Sequence, residues 1–162
     1  MTEPSWLPPL LLLPQFRGNI TAYLQAVYNC FEKDFVSSRP TLNGLPVYPQ
    51  INPKEDNKEF SYWHITHEGK IESEREFAPR RCERIAWIRA IIENVNDPSV
   101  TIWDYKEGKG KIRTYIWLEE YDYIVILEKS RKKDKYFLVT AFYFEGNSTY
   151  RNLERKYDQR EP

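Results

Sequence analysis

Spacings of three and four dominate two stretches of this chain, and alternation dominates a third. In GNITAYLQAVYNCFEKDFV, apolar side chains fall at Ile20, Tyr23, Leu24, Val27, Phe31 and Phe35, one stripe of a helix that Gly18 and Asn19 introduce. In PRRCERIAWIRAIIENVN, a second stripe runs through Ile85, Ile88, Ile91 and Ile92. Pro79 suits its first helical position, and Asn94 to Pro98 closes it. Beyond it the period drops to two. VTIWDY, IRTYIWLEE, YDYIVILEK and KYFLVTAFYF predict four antiparallel strands, with turns at KEGKGK and SRKKD. STYRNLERKYDQ returns to a helical stripe through Tyr150, Leu153 and Tyr157.

The strands have two unlike faces. In the second, Ile112, Thr114, Ile116 and Leu118 alternate with Arg113, Tyr115, Trp117 and Glu119. Helices are expected on the greasy face, leaving the polar-aromatic face to solvent or a ligand. Between the first two helices, SSRPTLNGLPVYPQINPKEDNK carries four prolines and predicts an irregular crossing with a short strand near Val47. FSYWHITH, aromatic and β-branched, reads as a strand with Tyr62, His64 and Thr66 on one face and Trp63, Ile65 and His67 on the other. The expected fold is α+β: N-terminal helices on a four-stranded antiparallel sheet, with a short C-terminal helix. Residues 1–16 form an apolar, proline-rich arm, and 17–159 a single domain.

Composition narrows the partners. Basic and acidic side chains balance at 24 each, so any contact with nucleic acid must come from a local patch. Aromatic residues make up 15%, enough to line a groove as well as a core. Cys30 and Cys82 sit in helical patterns and are expected to be reduced, in keeping with a cytoplasmic protein. WLPPLLLLP lacks the basic leader and the run of about 7–15 apolar residues of a secretory signal, and is expected to dock on the domain or on a partner. No stretch approaches the ~18 apolar residues of a membrane span.

The chain's two histidines, His64 and His67, lie three apart beside Trp63 and Glu68. With Glu68 they offer at most three metal ligands in a row and no second Cys/His cluster, so no metal and no cofactor is expected. The alternatives are structural histidines or proton-transfer groups, for which an ordinary pKa of ~6.5 is suited.

The segments YWHITHEGK, RRCERIAWIRAIIEN, IRTYIWLEEYDYIVILEK, KYFLVTAFYF and RNLERKY together resemble phage- and bacterium-encoded members of the barnase/EndoU/colicin/RelE-like ribonuclease superfamily. The likeness spans roughly residues 16 to 158. It implies a toxin-like, metal-independent endoribonuclease in which the ribose 2′-OH attacks the adjacent phosphate, leaving a 2′,3′-cyclic phosphate. It implies RNA as partner, and an inhibitor (antitoxin) protein as a further one. Such chemistry needs a base, an acid and cations around the phosphorane. His64, with His67 behind it, is the expected proton-transfer group. Arg84 is the expected positioned cation, with Arg80 and Arg81 as phosphate contacts. Arg113 among Tyr115 and Trp117 suits phosphate and base contact. The resemblance places a functional hydroxyl at Thr140, with Tyr143 nearby. Glu119 is the available carboxylate base. Each has a plainer alternative: a solvated helix face for the arginines, an ion pair for Arg113, an ordinary strand residue for Thr140, a strand-end solvent residue for Glu119. The KSRKKDK turn is either a solvated knob or a grip for RNA backbone. Two other functions fit the same residues, a non-catalytic RNA-, nucleotide- or protein-binding module and an accessory protein that hooks partners with its arm.

Overall fold

The computed structural model describes residues 3–68 and 76–162, an α+β fold. Helix α1 (Ile20–Phe31) begins where the Asn19 side chain accepts the Ala22 N–H, and Tyr23, Val27 and Phe31 bury its stripe. It runs on as one π-helical turn, Glu32–Val36, which brings Phe35 into the core against Phe31, ring centroids 5.6 Å apart. Strands β1 (Thr41–Leu42) and β2 (Leu45–Tyr48) then form within the proline-rich crossing.

FSYWHITH is not a strand. It forms helix α2 (Phe60–Thr66), and only His67 and Glu68 enter a strand, β3, paired with β4 (Glu76–Phe77). The reason lies in which side chains find cover. Ser61, Tyr62, Ile65 and Thr66 are buried, a helical spacing, and the Thr66 hydroxyl donates back to the Tyr62 carbonyl at 2.6 Å. PRRCERIAWIRAIIEN also differs from expectation: it is two helices, α3 (Pro79–Glu83) and α4 (Ile85–Glu93), hinged at Arg84, whose φ of −108° and ψ of 17° interrupt the ladder. Ile85, Ile88, Ile91 and Ile92 are buried as their spacing predicts.

Strands β5 (Thr101–Lys106), β6 (Ile112–Leu118), β7 (Tyr123–Lys129) and β8 (Tyr136–Tyr143) form the expected meander. The sheet, however, has six strands, in the order β1-β2-β8-β7-β6-β5. The two extra come from β2 lying parallel to β8 through Val47↔Tyr136 and Tyr48↔Phe137. The inner face, carrying Ile116, Leu118, Val125, Leu127, Leu138 and Ala141, packs on α1, α2 and α4.

The outer face is only half open, which corrects the expectation of a free polar-aromatic surface. Helix α5 (Asn147–Asp158) lies across it, and with Leu153 encloses Trp103, Tyr115, Trp117, Ile124, Ile126 and Phe144. Tyr115 and Trp117 retain 2% and 3% exposure. A helix with an apolar stripe must bury it somewhere, and these rings supply the complementary surface.

The N-terminal arm lies on the inner core. Leu7 is buried, the Leu11 N–H donates to the Glu83 carbonyl (2.9 Å), and the Trp87 indole donates to the Pro8 carbonyl (2.8 Å). Cys30 and Cys82 are free thiols, each pushed up to about 12 by burial.

The π-helical turn buries a carboxyl, Asp34. Burial raises its pKa above the ordinary value, against the opposing pull of Lys33 and Arg89 and reinforced by Glu93; the Cys30 thiol donates to it at 3.6 Å. A raised carboxyl binds its proton more tightly folded than unfolded. Its favourable contribution is therefore complete below the unfolded pKa and is lost as pH rises through the folded value. Asp34→Asn removes the charge and keeps the shape. It is expected to raise the melting temperature at neutral pH, with the gain shrinking toward pH ~3.5. Thermal melts of both proteins across that range check it; a gain that grows on acidification contradicts the assignment.

Candidate functional site

The three arginines of α3 and its hinge divide between the two sides of the sheet. Arg84 stays on the inner side. Its guanidinium carbon lies 4.2 Å from the Tyr143 ring centre and 5.1 Å from that of Trp87, and Nη1 donates to the Arg80 carbonyl (3.0 Å) and to Glu83 (3.3 Å). Its Nε is buried with no acceptor among the described residues. Arg80 is held in a two-pronged pair with Glu83, at 2.9 and 2.8 Å. Arg81 donates to the His64 carbonyl (3.4 Å) and reaches round the edge of β8 to Phe142 on the outer face, 5.6 Å from that ring centre. A hollow of about 430 Å³ is lined by Arg80, Arg81, Tyr143, Glu68 and Glu145. Tyr143 donates to Glu145 (3.2 Å), so carboxylates and cations share the lining.

Because α2 is a helix, each histidine meets the ring four residues before it, His64 stacked within the helix and His67 tilted just past its end. His64 lies 5.6 Å from Phe60 at 17° between planes, and His67 lies 4.9 Å from Trp63. The tautomer of neutral His67 follows from its neighbour. Thr66 spends its hydroxyl proton on the Tyr62 carbonyl, so the 2.8 Å contact between Thr66 Oγ1 and His67 Nδ1 requires the ring nitrogen to be the donor. His67, Trp63 and Tyr62 line a second hollow of about 230 Å³ against Leu24, Asp56 and Lys58. Among the described residues no group of three histidine, cysteine or acidic side chains is placed to hold a metal ion.

Arg113 and Thr140 lie on the outer face, across the sheet from Arg84 and Tyr143. Arg113 pairs with Glu128 at 3.3 Å. A bulge in β8 leaves Val139 and Thr140 both opposite Ile126, but pairing is regular from Thr140 to Tyr143, so these last two point to opposite faces. Tyr115, Trp117 and Glu119 are engaged with α5; Glu119 accepts the Tyr150 hydroxyl, and Tyr115 donates to Glu107 and accepts from Lys156 (2.8 Å). The expected set therefore divides: Arg84 and Tyr143 inside, Arg113 and Thr140 outside, and Arg81 on α3 bonded to the His64 backbone and reaching between them.

Register brings together residues that the sequence alone did not connect. One transverse row runs Tyr105↔Arg113↔Glu128↔Phe137↔Tyr48 across five strands of the outer face, and α5 buries none of its five residues. At its β2 end the Arg39 guanidinium sits 4.4 Å from the Tyr48 ring centre, and Lys135 Nζ lies 5.7 Å from Tyr48 and 5.6 Å from Phe137. Arg131, Lys132 and Lys133 project from the adjoining turn and are exposed. Tyr48 and Phe137 are 89 positions apart in the chain, and only the parallel β2–β8 pairing reveals the patch. No protein-family model matches the chain, and neither the curated proteins nor the solved structures compared with it match either.

Proposed function

We infer that this protein binds single-stranded RNA on the open end of the outer sheet face. The observation that carries the reading is the transverse row: aromatic rings on neighbouring strands, bordered by Arg39, Lys135 and the basic turn. Flat rings on a sheet accept unpaired bases, and cations beside them track the phosphates. The overall charge balances, and Arg39, Lys135 and the basic turn supply cations locally beside Tyr48 and Phe137, while Glu128 within the row is paired with Arg113.

One contact favours a second reading, the metal-independent ribonuclease implied by the resemblance. Arg81 links the His64 backbone to Phe142, two residues along β8 from Thr140. An imidazole-bearing helix is thereby tied to the margin of the face that carries the hydroxyl. Arg84 takes no part in this arrangement, being held on the inner side.

One experiment reads both. A labelled RNA of about 12 nucleotides is titrated with the protein in EDTA, followed by anisotropy and by gel analysis of its ends. Binding that saturates with intact RNA is the expected outcome, weakening steeply with salt because each phosphate neutralised contributes about −0.7 to the logarithmic slope. Arg39→Ala with Lys135→Ala is expected to weaken binding and to lower that slope by roughly 1.4. Cleavage to cyclic-phosphate ends, lost in His64→Ala, establishes the second reading. No binding at low salt removes both.

A further inference from the structure

The aromatic surface of the outer face does not stop at the open row. The next row, Trp103↔Tyr115↔Ile126↔Thr140, lies about 7 Å along the strands, and Trp117 follows in the row beyond. Both pass beneath α5. We propose that α5 is a displaceable cover, and that Trp103, Tyr115 and Trp117 beneath it form a second stacking site for further bases of a single-stranded RNA bound at the open row. The proposal rests on the reading of the open row as an RNA platform and extends it.

Four features of this interface point to a cover that lifts. First, the indole N–H groups of Trp103 and Trp117 are both buried with no acceptor among the described residues. A permanently closed core ordinarily satisfies such donors, because a buried unpaired one carries its full desolvation cost. Second, of α5's twelve side chains only Leu153 is fully buried, Tyr150 and Tyr157 being half-buried against Trp117 and Trp103. Third, the seam is not close-packed: a hollow of about 370 Å³ opens between Trp117, Thr101 and Glu119 of the sheet side and Glu154, Tyr157 and Asp158 of the helix. Fourth, the polar fastenings sit toward the two ends. Tyr150 donates to Glu119 near the start, Lys156 donates to Tyr115 (2.8 Å) and Glu107 (3.3 Å) near the finish, and just beyond the helix the Glu161 N–H donates to the Asp104 carbonyl (2.8 Å). Gly146, at φ 90° with open space around it, precedes the helix and suits a pivot.

Charge gives the closed state its effect. Glu154 and Asp158 hang over the seam beside Glu119, so a docked α5 sets carboxylates where RNA phosphates would otherwise approach. Lifting α5 carries the first two away. It also frees Lys156 from Tyr115 and from the Tyr105 ring, 5.1 Å away, which belongs to the open row. The two stacking sites are therefore coupled through one lysine.

The test uses the full chain. Amide hydrogen exchange of α5 is measured with and without a saturating labelled RNA of about 12 nucleotides, and binding is repeated with Tyr150→Phe/Lys156→Ala, which releases the two side-chain fastenings and keeps Leu153 and the Glu161 backbone bond. Faster exchange in α5 on RNA addition, quenching of tryptophan emission, and about tenfold tighter binding by the released variant are expected. Unchanged or slower exchange in α5 while RNA occupies the open row overturns the cover and leaves the RNA reading standing. So does an unchanged affinity in the released variant. Failure of both proteins to bind RNA overturns the two together. If the released variant does not fold, exchange in the wild-type chain decides alone.

Discussion

Trp87→Ala is expected to be the most destabilising single substitution in this fold, at roughly 3–5 kcal/mol. Three parts of the chain meet on that indole. It is 4% exposed on α4, its N–H holds the arm through the Pro8 carbonyl, and its ring meets Tyr121 and Tyr123 edge-on, 6.1 and 5.6 Å away. Truncation leaves a large cavity and releases the arm, whose other buried anchor is Leu7. Trp87→Phe separates the effects, because it keeps most of the ring packing and removes the N–H; it should cost about 1–2 kcal/mol. Urea unfolding provides the check. Both variants should lower the midpoint at an unchanged slope, with Trp87→Ala lower by far. Equal midpoints for the two would show that the arm, and not the ring, carries the stability.

That result bears on how the arm is read. WLPPLLLLP was open to two uses in the sequence, a dock on its own domain or a hook for a partner. The structure has it against its own core: Leu7 buried, Leu11 bonded to Glu83, and Trp6 donating to Asp97 at 3.0 Å. The helical stripes and the alternating strands were legible for the usual reason, that long periodic segments report the face they bury. FSYWHITH was not, although Tyr62, Ile65 and Thr66 carry a helical spacing. In seven residues the β-branched and aromatic character outweighs it, and so short a helix exists only because β8 and α1 cover its buried side. The hinge at Arg84 left no mark, since Arg and Glu suit a helix interior and nothing in ERIAW signals a break.

The outer face shows how a site can be half legible. Alternation in β6 identified Arg113, Tyr115 and Trp117 as one surface, and they are one surface. Which part of it is covered depended on where α5 settles, a long-range choice. The stripe of Tyr150, Leu153 and Tyr157 held a clue, because a helix added after a four-strand meander needs a free face, and the inner one already had three helices. Tyr48 and Phe137 were out of reach, since parallel pairing between a proline-rich crossing and the last strand has no local signature.

The same pairing sets up the largest functional effect. Tyr48→Ala and Phe137→Ala together are expected to weaken RNA binding by about 30-fold or more, given ~1–3 kcal/mol per stacked base. The two rings stand side by side in register and share Lys135, so their effects should be coupled, and a double-mutant cycle should return an interaction of at least ~0.5 kcal/mol. Both residues are only half-buried, on the outer face of the neighbouring strands β2 and β8, which keeps the stability cost small, and a melting curve verifies that. Charge removal and ring removal then leave different signatures. Loss of Lys135 lowers the salt slope, whereas loss of the rings shifts affinity at an unchanged slope, because stacking releases no counterions. If the ring variants bend the salt dependence and leave the affinity at low salt alone, the rings serve only to seat the cations, and bases do not stack on this face.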